Sequence, residues 1–412
     1  MIDASTEAPA DRPRLRTAAP WLVLALSVAA MAVFLRVTAG EYYLGDLRVF
    51  VSASHWLAEG SLYRATSPTG AGDVRIPFLY PPWVAAVFTP WSWLPFPITA
   101  VLWTVLGLAA LGTSVLLTLS LVTGQRHLRD RTLLRSAAWW SAGLLWITPV
   151  RHCLYEGQVS LLLFVAVVAG VWCARPAAAV AIGLATATKF APGAALVTLA
   201  VHRRPRAVLW GLAGFAIPLA VGWAAYPAQS RQYLADGAIL DAVDRVGGVA
   251  TVANQSLRAA MSRFAGADVG WQALWLLAAV FLTVCAGAVL YRRRGDRAVA
   301  LWVPTVLAAA LIPLGWTHQW VWLIPMLVWL RRGPDRRSGW ARTLSLLWFA
   351  GLLSPAVELL LLIQKSNYVY DRPLWQALAG AAYVLGAITT LLAVAVHSRS
   401  ERGTRVGKGQ TE

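Results

Sequence analysis

Asp46 heads the side chains able to do chemistry. It lies in Glu41-Tyr-Tyr-Leu-Gly-Asp-Leu-Arg-Val-Phe50, just past the first long apolar run. A carboxylate so near hydrocarbon is costly unless it faces water, a partner or a substrate. Further along come Arg48, Arg151, Glu156, Gln158, Lys189, Asn254, Gln255, Arg258 and His318, polar groups at span ends and in connections. An acid beside several bases suits an anionic substrate: Lys, Arg and His neutralise a phosphate while the carboxylate works on a proton. Each residue also has a plainer reading. Asp46 could pair with Arg48 or cap a helix starting near Leu47, Lys189 could snorkel to an interface, and Arg151 could pair with Glu156. His318 could be an interface histidine among Trp316, Trp320 and Trp322, which read more readily as belt residues than as sugar platforms.

These side chains need a membrane scaffold. Of 412 residues, 58% are hydrophobic and 13% charged, with 22 Trp, outside the balance of a soluble domain. Trp21–Leu35, Val101–Val122, Trp271–Leu290 and Leu374–Val396 approach the roughly 20 residues that cross hydrocarbon as helix. The expected fold is all-α and polytopic, with about 10–12 transmembrane helices, a single domain over 20–396 and cytoplasmic tails at 1–19 and 397–412. The first run reads as a retained anchor rather than a cleaved signal. Outer loops are expected near 40–82, 225–269 and 364–373, with an amphipathic helix over Val49–Leu57 on the outer face.

Net charge is +17, but its Arg and Lys form short clusters between spans, at 12–16, 126–135, 203–206, 292–297, 331–342 and 399–408. That pattern orients a membrane protein with those clusters in the cytoplasm and argues against nucleic-acid binding. The chemistry then belongs to the extracytoplasmic face of the plasma membrane. Two segments are the wrong length to cross simply. Trp83–Leu94, bounded by Pro82 and Pro95, is expected to stay at the interface. Ala177–Ala200, with both flanks basic and Lys189 and Pro192 at its middle, reads as a broken, re-entrant helix pair, which survives at membrane depth only where it lines a cavity or is buried in protein. Cys153, Cys173 and Cys285 are isolated and read as small buried hydrophobes, and no His, Asp or Glu spacing resembles a metal site.

The ordered set Gly45-Asp-Leu-Arg-Val-Phe50, Phe78-Leu-Tyr-Pro-Pro-Trp83, Glu156-Gly-Gln158, Thr188-Lys-Phe-Ala-Pro192, Asn254-Gln-Ser256 and Trp316-Thr-His-Gln-Trp-Val-Trp322 resembles glycosyltransferase family 87, polyprenyl-phosphomannose-dependent α-1,2-mannosyltransferases of the GT-C superfamily. Two departures stand out: Gly157-Gln-Val-Ser160 where the family usually has Gly-Gln-x-Asn, and His318-Gln319 where it often has His-His. The resemblance implies inverting transfer of mannose from polyprenyl-phosphate-mannose to a hydroxyl of a glycolipid or lipoglycan. It implies Asp46 as general base, with Lys189, His318 and Arg151 on the departing phosphate. Arg48, Tyr80, Glu156, Gln158, Asn254, Gln255 and Arg258 would meet acceptor or sugar, and no metal or other cofactor is expected. The residues themselves leave open a donor carrying arabinose or glucose, or a lipid-linked sugar transporter, which would share broken helices and buried charges.

Overall fold

The computed structural model describes residues 12–40, 43–68, 75–236, 248–270, 272–364 and 369–397. Most of the expected tails, and parts of each expected outer loop, lie outside them. Helix dominates: α1 (Arg12–Val37), α2 (Gly45–Ala58), α3 (Pro82–Val87), α4 (Thr89–Ser92), α5 (Phe96–Thr123), α6 (Arg131–Leu144), α7 (Thr148–Glu156), α8 (Ser160–Trp172), α9 (Val180–Thr188), α10 (Ala195–Val201), α11 (Pro205–Ala225) and α12 (Pro227–Leu234). There follow α13 (Leu257–Ala265), α14 (Ala273–Arg292), α15 (Arg297–Leu311), α16 (Leu323–Arg332), α17 (Gly339–Leu353), α18 (Ala356–Ile363), α19 (Leu374–Gly380) and α20 (Ala382–His397). An antiparallel pair, β1 (Thr66–Pro68) and β2 (Arg75–Pro77), is the one sheet among the described residues.

Four helical stretches are long and apolar enough to cross a bilayer alone: Thr17–Val37, Phe96–Thr123, Pro205–Ala225 and Ala273–Arg292. The pairs α17–α18 and α19–α20 qualify together but bend by 44° and 62°. The run Leu374–Val396 is therefore two helices rather than the straight span its composition suggests. Shorter apolar helices at 160–172, 176–188, 191–201 and 297–311 complete the bundle. The expected 10–12 crossings thus resolve into a few full spans and many partial ones. Leu209, Trp210, Leu274, Leu277 and Leu347 point outward from α11, α14 and α17, as side chains in contact with lipid tails do.

The broken hairpin is present. Helix α9 stops at Thr188, Lys189 is extended (φ −138°, ψ 133°), and a short 3-10 turn at Ala191–Ala194 leads into α10. Arg204, just after α10, donates to the carbonyls of Cys173 and Ala174 at 3.0 and 2.8 Å, just before the hairpin begins. Entry and exit therefore share one level, as a re-entrant pair requires. Small residues let the hairpin lie flat on α11: a Cβ on Gly183 would fall 2.0 Å from Gly211 O, and one on Gly214 would fall 2.5 Å from Val180 O. Such contact between backbones is how helices associate when lipid supplies no hydrophobic drive.

Trp83–Leu94 forms α3 and α4, too short to cross, as expected. Helix α2 is amphipathic, with Leu47, Val49, Phe50, Ala53 and Leu57 buried and His55 exposed. The belt reading of the tryptophans needs correction. Trp320 is fully buried and Trp322 nearly so; Trp320 packs edge-on against Tyr383 and Trp322 against Phe164, so they are core residues.

Candidate active site

Gly157 explains why Glu156 and Gln158 flank one point. It ends α7 in the left-handed region (φ 73°), and a Cβ there would lie 2.6 Å from the Cβ of Leu47. Only glycine allows both the turn and the close approach of α2. Two further bonds fix it: Trp103 Nε1 donates to Gly157 O at 2.9 Å, and Leu44 N donates to Tyr155 O at 2.7 Å. The first turn of α2, carrying Asp46, is thereby held beside Gln158.

Gln158 Nε2 donates to Asp46 Oδ2 at 2.5 Å, and Gln158 Oε1 accepts from Lys189 Nζ at 2.8 Å. Lys189 also reaches Ser160 Oγ at 3.4 Å, so the serine that replaces the usual asparagine still receives a hydrogen bond. The Lys189 ammonium stands 5.5 Å from the centre of the Tyr80 ring, which packs on Phe50 and Phe78. Next to this line, His318 Nδ1 meets Glu156 Oε2 at 2.6 Å. His318 is 5% exposed.

Burial, with Glu156 nearby, pushes the Asp46 carboxyl up to about 7, against the opposing pull of the Gln158 hydrogen bond and Lys189. Burial is the largest influence on Glu156 and would raise it, but the combined pull of His318, His152 and Lys189 holds Glu156 below the usual carboxylate range. Burial also lowers the His318 imidazole to about 4 despite Glu156. At neutral pH the imidazole is therefore uncharged, and a ring that donates Nδ1–H to the Glu156 carboxylate keeps Nε2 as its acceptor nitrogen.

Neither plain reading of Asp46 describes the structure. Among the described residues it makes no ion pair with Arg48, whose guanidinium lies 4.0 Å over the Phe96 ring with Nε buried and unpartnered. Nor does it cap α2, where Leu44 occupies the cap position without a side-chain bond. Lys189 turns inward rather than snorkelling. Arg151 pairs with Glu358 at 2.6 Å and bonds Thr148, so its expected pairing with Glu156 gives way to a different acid. Both bonds come from its Nη2, and its Nε is buried without a hydrogen-bond partner.

Asn254, Gln255 and Arg258 are likewise corrected. Asn254 is fully buried, donates to Pro313 O at 2.9 Å and accepts from Gly315 N at 2.9 Å. Gln255 is fully buried too and donates to Val252 O at 2.7 Å. Arg258 holds Asp268 in a two-pronged pair at 3.0 and 2.6 Å. These residues clamp the stretch before α13 onto Trp316, with Thr317 N donating to Ala253 O at 3.0 Å. They shape the turn that carries His318 and have no amide left for a sugar.

Sequence reasoning passed over His152 and Glu358. His152 Nδ1 meets Thr317 Oγ1 at 2.6 Å and its Nε2 lies 3.3 Å from Glu358 Oε1. Two signals were present: His152 and Glu156 sit i,i+4 on one helix face, and Glu358 is a lone acid in the apolar octad Ala356–Ile363. Cys153 is buried, and all three cysteines are free. Among the described residues no three His, Cys, Asp or Glu side chains converge as metal ligands.

The family model for glycosyltransferase family 87 matches residues 78–317. Two polyprenol-phosphate-mannose-dependent alpha-(1-2)-phosphatidylinositol pentamannoside mannosyltransferases are each 33% identical to the chain: one from Mycobacterium tuberculosis (strain CDC 1551 / Oshkosh), covering 98% of this chain and 94% of the relative, and one from Mycolicibacterium smegmatis, covering 93% and 92%. A polyprenol-phosphate-mannose-dependent alpha-(1-2)-phosphatidylinositol mannoside mannosyltransferase from Mycobacterium tuberculosis (strain ATCC 25618 / H37Rv) is 27% identical over 90% of this chain and 88% of its own length. No solved structure matches.

Proposed function

The chain belongs to glycosyltransferase family 87, and on that premise we propose that it transfers mannose from a polyprenol-phosphate-mannose donor to a hydroxyl of a phosphatidylinositol mannoside or related lipoglycan, forming an α-1,2 linkage at the extracytoplasmic face of the plasma membrane. The observation that carries this reading is the line Asp46–Gln158–Lys189, a base and a cation held apart by one amide.

Transfer is a single displacement. The acceptor oxygen bonds to the anomeric carbon, the bond from that carbon to the phosphate oxygen breaks, and the acceptor proton passes to Asp46. An Asp46 poised near neutrality can both ionise and take up a proton. The donor phosphate is a diester with one negative charge, and the departing polyprenyl phosphate becomes a monoester that gains a second. Lys189 therefore attracts the leaving group more strongly than the substrate, which is the condition for lowering the barrier. His318 joins it by taking a proton as the phosphate arrives, with Glu156 orienting the ring and stabilising the imidazolium. These cations do the work that a divalent ion does in many soluble sugar transferases, and addition of a chelator is expected to leave the rate unchanged.

Trp83 Nε1 donates to Ala187 O at 3.3 Å, two residues before Lys189, and so ties the interfacial helix α3 to the hairpin that carries the cation.

Purified enzyme given polyprenol-phosphate-mannose and a phosphatidylinositol mannoside should yield one α-1,2-linked mannose per turnover by linkage analysis. Lipid movement in vesicles without any covalent product would instead establish a transporter.

A further inference from the structure

The end of the bundle opposite Asp46 gathers cations. Arg204 and Arg297 each spend one terminal nitrogen on the carboxyl end of α8, Arg204 on Cys173 O and Ala174 O and Arg297 on Val171 O at 2.6 Å. Capping a helix end in this way is an ordinary use of arginine. It leaves most of their donors free and their charges close together.

Arg126 and Arg204 both lie near enough to Arg297 to repel it, and His202 faces Arg204 and Arg297. His202 Nε2 is buried without a hydrogen-bond partner. The acid facing this group is Asp296. Its Oδ1 caps α15 through Ala298 N and Val299 N, and its Oδ2 accepts from Trp329 Nε1 at 2.8 Å.

The depth of the cluster is informative. Arg126 follows the span Phe96–Thr123 by three residues, and Arg204 immediately precedes Pro205–Ala225, so both sit where spans leave hydrocarbon and lipid phosphates begin. Beside Arg204, Leu209, Trp210 and Leu212 on α11 are exposed apolar surface at the adjoining depth. Cations at phosphate level next to a lipid-facing helix match a molecule with an anionic head and acyl tails.

We propose that His202, Arg204, Arg297 and Arg126 bind the phosphate of an anionic membrane phospholipid, on the face away from the catalytic carboxylate. The phosphate gives His202 Nε2 its missing partner and relieves repulsion among the guanidinium groups. The site ties the end of α5, the turn between α10 and α11 and the start of α15 into one clamp at the base of the hairpin whose tip is Lys189. This inference is independent of the sugar-transfer reading.

The test is lipid retention by native mass spectrometry, with thermal unfolding of the purified protein in neutral detergent. The probes are phosphatidylglycerol, phosphatidylcholine with the same tails, and glycerol phosphate. Phosphatidylglycerol should be retained preferentially and raise Tm. One basic residue near a membrane surface contributes about 1 kcal/mol toward anionic lipid, so Arg126→Gln and Arg297→Gln should each weaken retention about fivefold. Arg64→Gln, near the opposite face, should not. Arg126 donates no hydrogen bond among the described residues, so its variant keeps the test valid if Arg297→Gln misfolds. Equal retention of both lipids, or retention unchanged in Arg126→Gln, overturns the site. Full stabilisation by glycerol phosphate alone overturns the lipid as its occupant.

Discussion

Asp46 and Lys189 make no direct ion pair: Gln158 lies between them, donating to the carboxylate at 2.5 Å and accepting from the ammonium at 2.8 Å. A direct pair would neutralise both groups and weaken the base. The intervening amide keeps each charge available to a different part of the substrate.

Replacing Gln158 with Ala should remove that separation. Turnover is expected to fall by about a hundredfold, the lower end of what a positioned general base contributes, with a smaller change in KM, measured by steady-state transfer of radiolabelled mannose. An unchanged kcat would show that Gln158 does not orient the base.

Asp46→Asn should keep size and polarity but lose the base, lowering kcat by about 10²- to 10⁴-fold while donor affinity in a binding assay stays near that of the parent. Undiminished turnover would return Asp46 to a structural role.

The reaction should depend on pH with a defined sign. Asp46 acts ionised, and its carboxyl is raised to about 7, so kcat/KM should climb with pH through that value and fall again as the Lys189 ammonium, which burial lowers to about 8, loses its proton. The Gln158 hydrogen bond pulls the carboxyl down, so its loss in Gln158→Ala should move the rising limb to higher pH. A profile flat from pH 5 to 8 would exclude Asp46 as the titrating base.

His318 is neutral before donor arrives and charged with phosphate beside it. Donor binding at pH 6 should therefore draw a proton from the buffer, visible as a calorimetric enthalpy that changes with buffer ionisation heat. The uptake should shrink in His318→Asn, whereas uptake equal to the parent's in that variant would assign the proton elsewhere.

Asn254→Ala strands the Gly315 N–H in the interior, where an unmet donor costs about 1–3 kcal/mol. Thermal unfolding should shift downward, and the KM for acceptor in the folded fraction should stay close to the parent's. A large rise in acceptor KM with unchanged Tm would restore the sugar-binding role that the sequence suggested.

The sequence made the chemistry of Asp46, Lys189 and His318 legible because ionisable groups are rare beside hydrocarbon and each stands out against its apolar surroundings. The broken hairpin was legible for a related reason: Lys189 and Pro192 interrupt a run too short to cross twice, with basic residues at both ends. Asn254, Gln255 and Arg258 misled because an amide that serves a backbone carbonyl and one that serves a sugar look alike in a string of letters. Glu358 and His152 went unread because their value depends on each other and on Arg151 and Thr317, which are far apart in the chain except for the adjacent Arg151 and His152.

By itself, the sequence determined the class of protein, the apolar runs and the residue types able to handle a proton and a phosphate, because composition and local spacing control partition between water and lipid. Only the tertiary structure decided the partners. Gly157 lets α2 press against the end of α7, so Gln158 rather than Arg48 meets Asp46. The bend before Glu358 delivers that acid to Arg151, which leaves Glu156 for His318. Such choices rest on which helices approach within a few ångströms, a property of packing between distant segments that local spacing does not encode.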